Sequence, residues 1–392
     1  MSQYTVRKLK LGKTGQIDSL ARAAGELYSR TLTSFWRVVR KKGKWLKASS
    51  IMRWCNSTGL HAHSADAVVQ SFFAALKSWR ELRKINSDAK PPKRRRFYYR
   101  VQWKSSGIRV RNGNLMLSNG KGNQPLVLSW QWEVPKLVEI GWDGKQYELR
   151  AIYVNEQEKH AIGTKVAAAD LGEIHLATIH DGDNTFIVNG RLLRSLRRYQ
   201  NKLKAKLSSL IDTKKRGSLR RKRLIKSKSR QLTKLKHQIK DVLHKLTTWT
   251  VCTLHRIGVK TLVIGDVRDI RKRIDYGAKT NQKLHQWVAG QTRQMLSYKA
   301  QRLGMNTPLQ DERYTSQECP ACGKRHKPRG RNYKCSCGFQ FHRDGVGSIN
   351  IRKKYLGIDS PVVGVMASPI GVRYHPHLQC SSAHFYERSD VQ

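Results

Sequence analysis

The chain has 392 residues and carries 77 Lys and Arg against 27 Asp and Glu, a formal net charge of +50. Self-repulsion on that scale, roughly one net positive charge per eight residues, calls for a polyanion to neutralise it, so nucleic acid is the expected partner and a small acidic metabolite is excluded as the main one. With 39% hydrophobic and 8% aromatic residues there is enough apolar material for two or three packed domains, which excludes wholesale disorder. No apolar run approaches the length of a membrane span, and Met1 leads directly into Tyr4-Thr5-Val6-Arg7-Lys8-Leu9, so neither a span nor a signal peptide is expected and a cytoplasmic location is.

Residues 4–10 alternate polar and apolar as a short strand does. From Ile17 to about Leu82 the apolar positions take helical spacing, as in Leu20, Ala24, Leu27 and Tyr28 and again in Val68, Phe72, Ala75 and Leu76. Asn86 to Pro92 ends that pattern. Short β-like runs follow at Tyr98 to Trp103, Ile108 to Arg111, Leu115 to Leu117, Pro125 to Trp130 and Gln146 to Val154, divided by turns bearing Gly and Asn. These segments read as a small β-barrel holding a helical insertion, with two unrelated segments as the alternative.

From Thr164 the pattern becomes mixed α/β. Val166 to Asp170, Ile174 to His180 and Thr185 to Val188 are candidate strands, and a long basic helical stretch runs from Arg191 to about Gly258. Thr261 to Asp266 reads as a buried strand, Asn281 to Gly304 as a helix, Pro308 to Arg313 as a strand and Gly345 to Leu356 as a final helix. Three strands, a helix, a strand, a helix and a strand describe an RNase H-like sheet. Past Tyr355 the chain has the weak periodicity of a disordered tail.

Cys319-Pro320-Ala321-Cys322-Gly323 and Cys335-Ser336-Cys337-Gly338 are two knuckles separated by twelve residues. Four thiolates at such spacing suit one tetrahedral zinc ion, and the Gly after each pair relieves a tight turn. Because the second pair is Cys-x-Cys, His326 or His342 remains an alternative to one of the thiolates. Cys55, Cys252 and Cys380 stand alone and read as small hydrophobes or unpaired thiols.

Acids are scarce, so those at the ends of apolar strands carry the most information. Asp170 ends Val166-Ala167-Ala168-Ala169, Asp266 ends Leu262-Val263-Ile264-Gly265, and Asp344 lies at the mouth of the last helix, where capping is the plainer reading. Carboxylates converging from separate elements are what a two-metal nuclease requires, since Mg²⁺ prefers hard oxygen ligands.

Four motifs together resemble the TnpB (OrfB) family of insertion sequences, compact relatives of the type V CRISPR effectors. They are Ala169-Asp170-Leu171-Gly172, Leu262-Val263-Ile264-Gly265-Asp266, Tyr314-Thr315-Ser316-Gln317-Glu318-Cys319-Pro320-Ala321-Cys322-Gly323 and His342-Arg343-Asp344-Gly345-Val346-Gly347-Ser348-Ile349-Asn350-Ile351. The helix with Trp287 and Ser297-Tyr298-Lys299-Ala300 also fits. The resemblance is specific over residues 164–355 and architectural over 1–160.

It implies a transposon-encoded, RNA-guided DNA endonuclease of multi-domain α/β and β fold. The wedge β-barrel would comprise residues 1–16 and 91–160, with helical recognition elements at 17–90. A RuvC-like nuclease would follow at 161–314 and 342–357, interrupted by a target-binding zinc ribbon at 315–341, and a tail would occupy 358–392. The implied cofactors are two Mg²⁺ ions, one Zn²⁺ and a guide RNA. The implied partner is target DNA beside a short flanking motif, cut by one chain with one RNA in a prokaryotic cytoplasm, away from any membrane.

The first and third carboxylates of such a site carry over onto Asp170 and Asp344. The second does not, because Gly265 stands where the family's Glu belongs. Some members of the family resemble this chain in having Gly there and a relocated Glu just before the Tyr-Thr-Ser segment, a position held by Glu312. The strand from Pro308 is expected beside the one bearing Gly265, about 5 Å away, so that Glu312 reaches into the space a side chain at 265 would fill. Asp266, reached through a bulge, and a site with no third carboxylate are the alternatives.

Between Arg191 and Lys240 there are 20 Lys and Arg and one acid, Asp212, which suits phosphate tracking, and Arg220, Arg221, Lys222 and Arg223 lie in that stretch. Arg94, Arg95, Arg96, Tyr98, Tyr99 and Arg100 interleave charge with stacking surfaces and suit single strands, although the same aromatics would serve as core in an ordinary strand. The expected function is therefore guided DNA cleavage. A nuclease-inactive, RNA-guided repressor of the same fold is the first alternative, and a conventional transposase acting without RNA is the second.

Overall fold

The computed structural model describes residues 3–94, 98–155, 160–268, 275–328, 330–358 and 368–378. They divide into two compact units, Met1–Glu156 and Gln157–Gln392.

The first unit runs β1 (Gln3–Leu11), α1 (Gly15–Lys42), α2 (Ala48–Met52), α3 (Ala62–Ile85), β2 (Val101–Lys104), β3 (Ile108–Arg111), β4 (Asn114–Leu117), β5 (Leu126–Ser129), β6 (Leu137–Trp142) and β7 (Tyr147–Asn155). Helix α1 starts where the Thr14 hydroxyl accepts from the Ile17 amide and stops at Gly43, whose φ of 60° a side chain would resist. Strand β1 pairs antiparallel with β7 along its whole length, in the order β1-β7-β6-β2, while β3-β4-β5 make a second sheet. The expected barrel is thus two separate antiparallel sheets. A 3₁₀ turn at Ser105–Gly107 redirects the chain after β2, so β3 pairs with β4 instead of extending the first sheet. Leu27, Phe35 and Phe72 of the helices share one core with Trp103, Leu115 and Leu149 of the strands, so the helical segment and the strands fold as one body.

Strand β6 has no counterpart among the expected strands. Its centre is the buried Glu139, held by Arg150 at 2.6 Å and Arg100 at 3.2 Å, and a charge in mid-strand hides the apolar pattern.

The second unit runs β8 (Lys165–Asp170), β9 (His175–His180), β10 (Thr185–Asn189), α4 (Arg191–Asp212), α5 (Leu219–Arg256), β11 (Val259–Gly265), α6 (Ala278–Gln286), α7 (Ala289–Gln301), β12 (Leu309–Gln310), β13 (Asn332–Lys334), β14 (Gln340–His342), α8 (Arg343–Leu356) and β15 (Ile370–Val372). The main sheet has the order β12-β11-β8-β9-β10-β15. Strands β8, β9 and β10 are antiparallel neighbours, whereas β11 runs parallel to β8 and β12 parallel to β11. Alternation along β8 and β11 divides the two faces. Ala167, Ala169, Leu262 and Ile264 join a core with Leu243 and Leu246 of α5 and Leu296 of α7, while Ala168 and Val263 meet Ile351 of α8 on the other face.

Each of the two long helical stretches is divided. The first breaks between Asp212 and Leu219, where Gly217 has a φ of 86°, and the second at Trp287 and Val288. The tail corrects an expectation, because Ile370–Val372 adds a parallel edge strand to β10 and Val372 and Leu378 enter the core. Three residues are too few to carry a period-2 signal. Among the described residues no helix is long and apolar enough to cross a membrane.

Candidate active site

Strand alternation decides which acids can meet. Asp170 shares the parity of Ala168, which puts it on the α8 face of the sheet, and Gly265 shares the parity of Val263 on that same face. Asp266 has the parity of Ile264 and belongs to the opposite face. There its carboxylate takes Arg268 Nε at 2.8 and 2.9 Å and lies 3.8 Å from Arg293 of α7, and the Arg268 hydrogen bond holds its pKa below the usual carboxylate range.

Two features hold the turn that follows Asp170. The Trp287 indole donates to the Gly172 carbonyl at 2.7 Å. Gly172 itself packs so tightly that a β-carbon there would lie 2.6 Å from the His175 carbonyl oxygen. Helix α8 meets Asp170 at Gly347, where a β-carbon would overlap Asp170 Oδ2 and stand 3.2 Å from Cγ. The Gly345-x-Gly347 pattern at the start of α8 is therefore a close-approach device.

Glu312 follows the short β12, whose Leu309 and Gln310 pair with Ile264 and Gly265. A β-carbon on Gly265 would collide with Glu312 Oε2 and lie 3.4 Å from its Cδ, so this carboxylate fills the space left by the missing side chain. Tyr314, at a φ of 64°, and Thr315, whose hydroxyl donates to the Glu312 carbonyl at 2.9 Å, fix the turn beyond it. Asn350 of α8 donates at 2.7 Å to both the Thr315 and Glu318 carbonyls and locks that turn onto the helix. Asp311 instead faces solvent and pairs with Lys354 at 3.3 Å.

Asp344 stands in the first turn of α8, its amide donating to His342 Nδ1 at 3.2 Å. Its Oδ2 lies 2.7 Å from His175 Nδ1 and 3.8 Å from Arg331 Nη1. Neither His175 nor Arg331 was marked by the sequence, since the first opens a strand at long range and the second is one basic residue among many.

Asp170 feels both of the other carboxylates. Burial, then the charges of Glu312 and Asp344, push Asp170 well above the usual range. Burial, with Asp266 and Asp311 adding, raises Glu312 to about 7. Burial would raise Asp344 too, but the His175 hydrogen bond and the charges of His342 and Arg331 outweigh it and hold the group low. Glu312 Oε2 is buried with no hydrogen-bond partner. Hard oxygen donors that repel one another, one of them orphaned, fit a divalent cation of the Mg²⁺ kind.

Cys319, Cys322, Cys335 and Cys337 form one cluster whose ligand atoms all lie within 4.8 Å of one another. Sulfur separations of 3.7 Å (Cys319–Cys337) and 3.5 Å (Cys322–Cys335) match the roughly 3.8 Å expected when zinc–sulfur bonds of about 2.3 Å point to tetrahedral corners. His326 sits 3.3 Å from the Tyr333 hydroxyl and His342 stacks near His175, so the cluster is made of the four thiols.

Of the nucleic-acid candidates, Arg95 and Arg96 lie outside the described residues. Arg94 borders a polar groove of about 750 Å³ along α1 with Arg30 and Arg37, and Tyr98 is exposed. Tyr99 packs its ring against Tyr28 at 4.7 Å, and Arg100 pairs with Glu139. In the second unit Arg220, Lys222 and Arg223 are exposed on α5, whereas Arg221 donates to the Lys214 carbonyl at 3.1 Å and closes the turn between α4 and α5.

Residues 150–271 match the family described as "Probable transposase" (OrfB_IS605), and residues 290–351 match the "Cas12f1-like, TNB domain". Over these two segments the chain is similar to the TnpB (OrfB) family. TnpB-like protein ORF457 of Acidianus two-tailed virus is 27% identical over 62% of this chain and 53% of its own length. TnpB-like protein MJ1635 of Methanocaldococcus jannaschii is 24% identical over 77% of this chain and 71% of its own. The chain thus spans about half the length of the viral relative. In fold it is similar to the protein of a Cas12f1–sgRNA–target DNA complex, with a TM-score of 0.57 and 13% identity over 86% of this chain and 81% of that one.

Proposed function

We propose that the chain is an RNA-guided DNA endonuclease that cleaves target DNA beside a short flanking motif, with Asp170, Glu312 and Asp344 as its catalytic carboxylates. The observation that carries this reading is Glu312 lodged in the space of the Gly265 side chain, on the sheet face shared with Asp170. A buried carboxylate kept beside another at such electrostatic cost is difficult to account for without a cation to bind.

The second unit is read as a RuvC-like nuclease over 161–314 and 342–357, interrupted by a zinc ribbon over 315–341. The strand order supports it, because counted from β8 the strands stand fifth, fourth, first, second and third, as the RNase H-like reading requires. The first unit is read as the wedge, with α1 to α3 as recognition helices. Two bound Mg²⁺ ions would supply an activated water and neutralise the leaving oxygen of the phosphodiester. The chain's own part would be to offer the oxygens of Asp170, Glu312 and Asp344 on one side of the sheet and to keep competing cations away. Arg293 and Arg268 are kept away on the opposite face by their pairing with Asp266. The guide RNA would supply sequence specificity, and the exposed Arg220, Lys222 and Arg223 of α5 would bind phosphates. One chain with one RNA in a prokaryotic cytoplasm completes the reading.

The test is to purify the chain from a host that also expresses its flanking genomic RNA, sequence the RNA that stays bound, and reprogram its variable end. Cutting of matched DNA in Mg²⁺, absent with a scrambled guide, is expected. Protein that is free of nucleic acid after moderate-salt purification would overturn the guided reading, and guided binding without cutting would convert it to a repressor.

A further inference from the structure

His175, His342 and Asp344 bring ligand-type atoms within 4.8 Å of one another, which raises the question of what the two imidazoles do. His342 is committed, because its Nδ1 accepts the Asp344 amide at 3.2 Å, and in the neutral ring the other nitrogen then carries the proton. That tautomer offers no lone pair to a metal. His175 is buried, with 9% of its side chain exposed, and its Nδ1 is 2.7 Å from Asp344 Oδ2. The neighbouring Arg331, 3.4 Å from the same nitrogen, has only donors, so the proton on Nδ1 is assigned to the bond with the carboxylate.

We infer that His175 is a positioning residue for Asp344: its Nδ1–H holds Oδ2 and turns Oδ1 toward the catalytic cation. This rests on the proposed three-carboxylate site. The arrangement is rigid at both ends. The His342 ring stands 5.2 Å from the His175 ring at 52°, and the backbone before His175 is pinned by the Gly190 amide donating to the Ile174 carbonyl at 2.9 Å. A carboxylate fixed through one oxygen binds a cation through the other without first losing rotational freedom, which is the general effect of hydrogen-bond partners behind a metal ligand.

The test uses the full chain with its bound RNA and reads Mn²⁺ binding by electron paramagnetic resonance alongside cleavage. His175→Ala is expected to weaken Mn²⁺ binding on the order of tenfold and to raise the Mg²⁺ concentration for half-maximal cleavage in parallel, with kcat at saturating Mg²⁺ within a few fold of wild type. His175→Asn puts an amide nitrogen where Nδ1 was and is expected to restore binding to within about threefold, whereas His175→Gln, which mimics the other ring nitrogen, is not. Unchanged Mn²⁺ binding in His175→Ala overturns the inference. If that variant does not fold, equal binding by the Asn and Gln variants overturns it instead. Mn²⁺ binding that ignores Asp344→Asn as well would mean that the carboxylate site itself has been misread, and the inference falls with it.

Discussion

The carboxylate of Glu312 occupies the volume that a side chain on Gly265 would need. The two residues sit on adjacent parallel strands or just beyond them, so a carboxylate lost from one strand is replaced from its neighbour at nearly the same point. Gly265→Ala is therefore expected to displace Glu312 and reduce cleavage at least tenfold, since small misplacements at a reacting centre cost that much or more. Guided cleavage assayed beside thermal melting checks it. A folded Gly265→Ala protein that cuts at wild-type rate would remove the steric relationship from the mechanism.

The four cysteines are expected to hold one zinc per chain, measured by elemental analysis. Burial pushes the Cys319 thiol up to about 12, whereas the amide of Cys337 draws Cys335 down to about 6. Zinc must displace the protons that the thiols hold at neutral pH, so its affinity falls as the solution is acidified. Chelation should expose the knuckles within residues 315–341 to proteolysis, because their small core of Cys319, Tyr333 and Phe341, which rests on Val346 and Ile349 of α8, counts one of the zinc ligands among its members. Strand β14 ends at His342, two residues before Asp344, so cleavage should be lost along with the zinc.

Divalent-metal binding should release protons near neutral pH. Glu312, raised to about 7, is half protonated there in the metal-free protein, and a cation must displace that proton. Apparent Mg²⁺ affinity should therefore rise with pH through 7, and the raised Asp170 carboxyl adds to that rise in the same direction. The same shift has a sign for stability. A carboxyl group whose folded pKa exceeds its unfolded value loses stability for the fold as pH rises from the unfolded toward the folded pKa. Without metal, Glu312→Gln should raise the melting temperature by a few degrees at pH 8 and leave it unchanged at pH 4. A variant that melts like wild type at both values would show that the carboxylate carries no burial penalty.

Much of this was legible in the sequence, and the exceptions have physical causes. Asp170 and Asp344 lie at strand and helix ends flanked by apolar runs and glycines, and Glu312 follows from the missing side chain at Gly265. The cysteine cluster follows from spacing, although only the structure chooses the four thiols over His326 and His342. Where a charge is buried in mid-strand, as Glu139 is in β6, or where an element is only three residues long, as in β15, periodicity has nothing to report. His175 and Arg331 act by contact with a residue 169 and 13 positions away, a relationship that exists only after folding. Tyr99 shows the reverse, because its aromatic–basic setting suggests stacking on bases while its ring is already packed on Tyr28.

The central claim is that Glu312, and not Asp266, completes the metal site, and guided cleavage of a matched DNA duplex in Mg²⁺ by two variants measures it most directly. Glu312→Ala is expected to lower the cleavage rate at least a hundredfold with RNA and target binding intact, as befits a lost metal ligand. Asp266→Ala, which frees Arg268 and Arg293 on the far face of the sheet, should stay within about tenfold of wild type. Near wild-type cutting by Glu312→Ala, or a loss on Asp266→Ala as deep as the one expected for Glu312→Ala, would contradict the account.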